Sequence, residues 1–238
     1  MLDTNRKLEL TENLMEVQEE IALVSKNSNR VLDEVTLIAV SKTKPISDLE
    51  IVYNLGIRHF GENKVQELVH KAEVLPGDIQ WHMIGHLQKN KVKYIAPFIS
   101  CIHSVESLSL AETIQKEAKK NNRIIDILIE VNVANEETKF GLQVDEVEEF
   151  IMKIKEYSNI NILGLMTIAP FVPNSEENRI YFHKLRKLLV DINSKNIDNI
   201  NMSVLSMGMS NDYKVAIQEG ATFIRVGTNI FGERNYNL

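Results

Sequence analysis

The chain has 238 residues, 44% of them hydrophobic and 25% charged, with a formal net charge of −6. That balance belongs to an ordinary globular protein, and the acidic excess argues against a general nucleic-acid surface. A single cysteine, Cys101, excludes an intramolecular disulfide and points to a reducing cytosol, while no apolar run reaches the roughly 20 residues of a membrane span. The N-terminus lacks an apolar signal core, so a cytoplasmic protein is expected.

Leu10, Leu14, Val17, Ile21 and Val24 recur at spacings of four and three, which predicts an N-terminal helix within residues 1–30, ended near Asn27-Ser-Asn29. The pattern is too short for a coiled coil, so the helix is expected to pack on the body and the protein to be a monomer. Strands are predicted at 35–41, 57–61, 79–84, 98–103, 124–132, 161–168, 203–206 and 222–226. Amphipathic or charged stretches at 47–55, 63–72, 88–96, 106–120, 143–156, 175–193 and 210–219 separate them. Strand–helix alternation means parallel strands with helical crossovers. Near-continuous apolar runs such as Ile124–Val131 are what strands buried on both faces require. Eight such units fit a single (β/α)8 barrel of the TIM type better than an open sheet. Nothing resembles a linker, so residues 1–238 are expected to form one domain.

In such a barrel the chemistry gathers at the C-terminal ends of the strands, with phosphate often held after strands seven and eight. Lys42 closes the first strand, in parity with Ile38 and Val40, and Asn63 follows the second. His82 lies near the end of the third strand, Lys139 in the loop after the fifth, and Met166 and Thr167 at the end of the sixth. Lys44, a second partly buried cation close to Lys42, should lower the amine pKa and leave more neutral nucleophile. Ser206-Met207-Gly-Met-Ser210 leads into a helix that Ser210 is expected to cap, and Arg225-Val-Gly227-Thr228 forms a second glycine-containing turn. Two adjacent anion cradles and a strand-end lysine point to a phosphorylated, carbonyl-bearing ligand held as a Schiff base. His82 and His86 invite a metal reading, but Gly85 interrupts their spacing and no carboxylate or thiol completes a set, so no metal is expected. Asn63 with Gln66 reads first as a helix-capping pair, and Cys101 as a small core residue.

Six segments in register carry a resemblance. They are Ala39-Val-Ser-Lys-Thr-Lys-Pro45, Phe60-Gly-Glu-Asn63, Trp81-His-Met-Ile-Gly85, Gly164-Leu-Met-Thr167, Leu205-Ser-Met-Gly-Met-Ser210 and Arg225-Val-Gly-Thr228. Together they resemble the pyridoxal phosphate homeostasis protein family, also called the alanine-racemase-like or proline-synthase co-transcribed family. The resemblance implies an alanine-racemase N-terminal-domain-like barrel that carries pyridoxal 5′-phosphate (PLP) as a Schiff base on Lys42. It implies that Ser210, Gly227 and Thr228 hold the phosphate and that Arg225 faces the pyridine nitrogen. Asn63, His82, Met166, Ser206 and Met207 complete the expected cofactor site, and Lys139 resembles the family's loop lysine. Met83 stands where an aromatic residue is common, and the tail Asn235-Tyr-Asn-Leu238 lacks the basic cluster of some members.

The implied function is to buffer PLP and deliver it to PLP-dependent apo-enzymes, without robust catalysis. An amino-acid racemase is the alternative. Two-base racemisation needs a second acid opposite the lysine, which in alanine racemases the resemblance places on a further β-domain. The chain ends just after the last barrel strand, and none of its tyrosines is an obvious replacement. A phosphosugar-type barrel enzyme with a Schiff-base lysine would explain the cradle but not Trp81-His82 or Arg225.

Overall fold

The computed structural model describes residues 4–233. Eight parallel strands close into a barrel in chain order: β1 (Thr36–Val40), β2 (His59–Glu62), β3 (Gln80–Met83), β4 (Cys101–Val105), β5 (Ile125–Glu130), β6 (Ile160–Met166), β7 (Val204–Met209) and β8 (Phe223–Val226). Closure comes from β8 lying beside β1, with Thr36 opposite Phe223 and Ile38 opposite Arg225. The crossover helices are α2 (Ile46–Asn54), α3 (Val65–Val74), α4 (Val92–Ile95), α5 (Leu108–Lys120), α6 (Val147–Ile154), α7 (Arg179–Asn193) and α8 (Tyr213–Gln218). A further short helix, α9 (Thr228–Phe231), stands where the sequence predicts only a turn.

Side chains alternate across each strand, so the barrel has two cores. The outer one, between strands and helices, is large and includes Ala39, Phe60, Trp81, Ile102, Ile127, Leu205 and Val226. The inner one is a small cluster of Cys101, Leu128, Met166 and Val204, flanked by Leu163 and Phe223. Gly164 lets β6 close on β7: a Cβ there would lie 1.8 Å from the Val204 carbonyl oxygen. Between Ser206 and Met209 the β7–β8 register shifts, so three steps on β7 oppose two on β8. Gly208 supplies the left-handed backbone this bulge needs, at φ 88°. Before the bulge the usual alternation holds, with Ser206 facing inward and Leu205 and Met207 in the outer core.

Helix α1 (Thr4–Asn27) buries Leu10, Leu14, Val17 and Ile21, the face its periodicity predicts, and packs on α2, α8 and α9. Polar contacts pin it: Arg6 pairs with Asp48, and Glu20 accepts from both Tyr213 and Lys214. Asn29, at φ 53°, turns the chain just beyond α1. No helix among the described residues is long and apolar enough to cross a membrane.

All eight predicted strands form, with two boundary corrections. The fourth begins at Cys101 rather than 98, because Phe98 and Ile99 donate their amides back to the Ile95 carbonyl and finish the α4 turn. The seventh runs on to Met209 because the bulge keeps Met207 and Gly208 in the sheet. The tail from Asn235 to Leu238, with Tyr236, lies outside the described residues.

Candidate functional site

The first component is the turn that carries Lys42. β1 ends at Val40, and Ser41-Lys42-Thr43 bends sharply, with Thr43 in the left-handed region at φ 65°. A β-branched residue is strained there, so something must hold it. The Thr43 amide donates to Glu67 Oε1 at 2.5 Å, and the Ser41 hydroxyl donates to Glu62 Oε1 at 2.6 Å. Lys71, reaching in from α3, ties the two carboxylates together. Its ammonium donates to Glu62 Oε1 (2.7 Å), Glu67 Oε1 (2.7 Å) and the Ser41 carbonyl (2.8 Å). Lys71 and Glu62 are buried. Burial pushes the Glu62 carboxyl above its usual range, although Lys71 and Ser41 pull the other way. The half-buried Lys42 therefore projects from a clamped turn.

Lys44 also ties the β1 turn to the segment after β8. Its ammonium donates to the carbonyls of Phe231 (2.9 Å), Gly232 (3.0 Å) and Glu233 (2.9 Å), which satisfies the C-terminal end of α9. It thus fixes the segment after β8.

The second component is the cradle formed by the two final strand-to-helix turns. Ser210 does not cap α8, whose N-cap is Asp212. Instead, the Ser210 hydroxyl oxygen accepts from the amides of Gly227 and Thr228, both at 3.1 Å. Ser210, Gly227 and Thr228 thus come together across the two turns. Asp212 anchors the first turn by accepting from the Met209 amide (2.7 Å) and from Asn178 Nδ2 (2.7 Å). A side chain at Gly227 would press on β1, its Cβ lying 3.2 Å from the Val40 carbonyl oxygen.

The third component is Arg225, which is buried. It donates through Nη1 to the Ser206 hydroxyl and through Nη2 to the Thr167 carbonyl at 2.8 Å. Burial lowers its pKa to about 10, opposed by Asp212 and Glu130, so it stays a cation at neutral pH. Glu130, buried at the end of β5, has its carboxyl pushed up to about 7, first by burial and then by Glu106, with Arg225 opposing.

Asn63 was expected to open α3 with a capping box, but Lys64 is the N-cap and no side-chain cap forms. The Asn63 Oδ1 atom is instead buried without a hydrogen-bond partner. Buried polar atoms are rarely left so, and an orphan acceptor close to the Lys42 turn is what a ligand-facing group looks like. Met166 belongs to the inner core and pairs in register with Ser206. Met207 packs into the outer core rather than into the barrel interior. Ser206 and His82 are buried inside the barrel beneath that mouth, so they stand behind Arg225 rather than on the open surface. Lys139 sits above β5 and β6, paired with Glu136 (2.6 Å) and reaching the Ile168 carbonyl at 3.5 Å.

The expectation that no thiol accompanies His82 is corrected by strand pairing. Ligand atoms of His82, Cys101 and His103 all lie within 4.8 Å of one another. His82 Nδ1 and His103 Nε2 face each other at 2.9 Å, and burial raises the Cys101 thiol well above its usual pKa, so it is a protonated core group. His86 is separate, paired with Glu106 (3.2 Å) and stacked on Phe140. His103, Glu62, Lys71 and Glu130 were missed as site-related residues. The signal that could have flagged His103, Glu62 and Glu130 is a polar residue inside or closing an apolar strand.

These features have counterparts in known proteins. Residues 13–235 match the family model for the alanine racemase N-terminal domain. A pyridoxal phosphate homeostasis protein of Aquifex aeolicus is 45% identical over 226 residues, covering 94% of this chain and 98% of the relative. A structure of an unknown protein from Bifidobacterium adolescentis superposes with a TM-score of 0.92 at 34% identity, covering 97% of this chain and 98% of that one. PipY of Synechococcus elongatus, in its structure with PLP bound, gives a TM-score of 0.78 at 33% identity, covering 91% of this chain and all (100%) of its own. With the barrel, the clamped lysine and the amide cradle in place, this chain belongs to the pyridoxal phosphate homeostasis protein family.

Proposed function

We propose that this chain binds PLP at the C-terminal mouth of the barrel, with Lys42 as its covalent attachment point, and that it buffers and delivers the cofactor rather than catalysing a reaction. The carrying observation is the convergence of the Ser210 hydroxyl with the Gly227 and Thr228 amides in the turns after β7 and β8, the second of which lies beside β1 and the clamped Lys42 turn. That set suits a phosphate: its oxygens would share or take over the two amides that now donate to Ser210 Oγ and would accept the Ser210 hydroxyl proton, with no competing carboxylate among the three groups. The orphan acceptor of Asn63 fits the same reading, because a polar ligand would satisfy it.

Bound PLP supplies an aldehyde for a lysine amine and an aromatic ring that withdraws electrons best when its nitrogen is protonated. A guanidinium has five donors and no acceptor. Arg225 facing that nitrogen would hold a proton off it, which weakens the ring as an electron sink and favours storage over carbanion chemistry. The tyrosines point the same way. Among the described residues, Tyr53, Tyr94, Tyr181 and Tyr213 lie on helices outside the barrel, and Tyr157 lies just after α6. None stands at the mouth as a second acid. Helix α1 has its apolar face covered by α2, α8 and α9, which supports a monomer, and we place its action in the cytoplasm, delivering to PLP-dependent apo-enzymes.

The test is visible absorption of the purified protein with added PLP, beside Lys42→Ala. The parent is expected to gain a PLP-dependent band and a reducible covalent adduct that the folded variant lacks. A parent that takes up no PLP would sink the cofactor reading. Robust turnover of an amino acid in a racemase assay would sink the carrier reading.

A further inference from the structure

Beneath the mouth, polar groups run in single file across the barrel interior. From Arg225 the file passes through Ser206 Oγ to His103 Nδ1 (3.0 Å), from His103 Nε2 to His82 Nδ1 (2.9 Å), and from His82 Nε2 to His59 Nδ1 (2.9 Å). Ser206, His82 and His103 are buried, and His59, at the start of β2, is half-buried at the opposite end of the barrel. Phe223 walls the file, stacking on His103 and meeting His82 edge-on.

The direction of every bond in this file can be worked out. A guanidinium can only donate, so Ser206 Oγ accepts from Arg225 and keeps one proton of its own to give. Among the described residues its remaining partner is His103 Nδ1, so Ser206 donates there. Burial holds His103 far below its usual pKa and takes His82 to about 3, which leaves both rings neutral with one proton each. With Nδ1 accepting, the His103 proton sits on Nε2 and is donated to His82 Nδ1. The same reasoning puts the His82 proton on Nε2, donated to His59. Each dipole therefore turns its negative end toward Arg225. Aligned hydrogen bonds polarise one another in a low-dielectric interior. The bonds of the guanidinium go to a hydroxyl and a carbonyl, not to a carboxylate.

We propose that Ser206, His103, His82 and His59 form a one-directional hydrogen-bond relay that holds Arg225 in place as a charged donor. They are positioning residues, and the consequence for the cofactor rests on the PLP reading above. The relay itself does not. The same nitrogen atoms cannot also serve a metal bound by His82, Cys101 and His103, so a metal centre is the opposing outcome.

The first experiment is two-bond 1H–15N correlation spectroscopy of the histidine-labelled protein without ligand, which separates Nε2–H from Nδ1–H rings. His82 and His103 are expected as neutral Nε2–H tautomers at neutral pH. An Nδ1–H His103, a charged ring at either position, or stoichiometric Zn2+ uptake that removes both N–H signals would overturn the relay. Ser206→Ala removes the link to Arg225, so His103 and His82 should spread over both tautomers while circular dichroism stays unchanged. A single unchanged tautomer in that folded variant would overturn it, and if the variant does not fold the parent spectrum decides alone. Given PLP uptake by the parent, Ser206→Ala should bind PLP about tenfold or more weakly, as expected for losing a hydrogen bond to a charged group, with a displaced visible maximum. Nε2–H rings in a parent that binds no PLP would support the relay while removing its cofactor role.

Discussion

Replacing Lys71 by methionine tests the clamp under Lys42. The Lys71 side chain is 3% exposed and that of Glu62 0%, so methionine leaves a carboxylate stranded in the interior. Removing one partner of a buried pair costs about 3–5 kcal/mol, more than a surface ion pair is worth, because the remaining charge is uncompensated. The Ser41 carbonyl and Glu67 lose a donor as well. For a chain of this size about 2–4 °C of melting temperature accompanies each kcal/mol, so a drop of about 6–20 °C is expected. The companion variant Lys71→Met/Glu62→Gln removes the stranded charge and should recover most of the loss in a double-mutant cycle.

The pH dependence of Lys71→Met carries a sign. Without Lys71, burial raises the Glu62 pKa further above the ordinary carboxylate value of 4.5, so the folded state binds a proton that the unfolded state releases. Stability then rises as pH falls toward 4.5, and the defect of Lys71→Met should be largest at neutral and alkaline pH. Urea midpoints at several pH values read this directly. A variant within about 0.5 kcal/mol of the parent, the scale of a surface substitution, would refute the buried-clamp argument. A double variant no better than the single one would refute it too.

Glu130→Gln should flatten a pH slope. The folded-state pKa of Glu130 is raised from 4.5 to about 7, so its contribution favours folding at low pH and is lost as pH climbs through that interval. Relative to the parent, the variant should gain about 2–3 kcal/mol between pH 5 and pH 8 in urea titrations, and a parent slope no steeper than the variant's would contradict this. Gly164→Ala should fail to give soluble folded protein, because its Cβ would meet the Val204 carbonyl oxygen at 1.8 Å and part β6 from β7. Recovery of that variant with a near-parental melting temperature would show that the barrel yields more easily than its backbone contacts imply.

Apolar runs and alternation were enough to expose all eight strands, because a strand buried on both faces leaves its mark in its own few residues. Rim residues were legible for a related reason: Lys42, Arg225 and Ser210 stand where strands end, and barrel chemistry gathers there. What each rim residue bonds to was not legible. Lys44 lies two residues from Lys42, yet its ammonium reaches carbonyls 187 to 189 positions away. Ser210 precedes one helix but accepts from a turn 17 and 18 residues later.

The hidden layer of the site is hidden for a physical reason. Ser206 and His103 are 103 residues apart, and their bond depends on the register that closure of the barrel sets between distant strands. Cys101 looked like an isolated core thiol because its histidine neighbours come from other strand positions and from another strand, beside it only once the sheet has closed. Local pattern reports which residues are buried, while closure decides which buried polar groups meet. Lys71 illustrates the cost of reading burial alone. On α3 it looks like one more helix charge, yet it sits deeper than most of the apolar face and holds Ser41, Glu62 and Glu67 at once. A lysine kept there against its desolvation cost makes sense only if the turn it holds matters, and that turn carries Lys42.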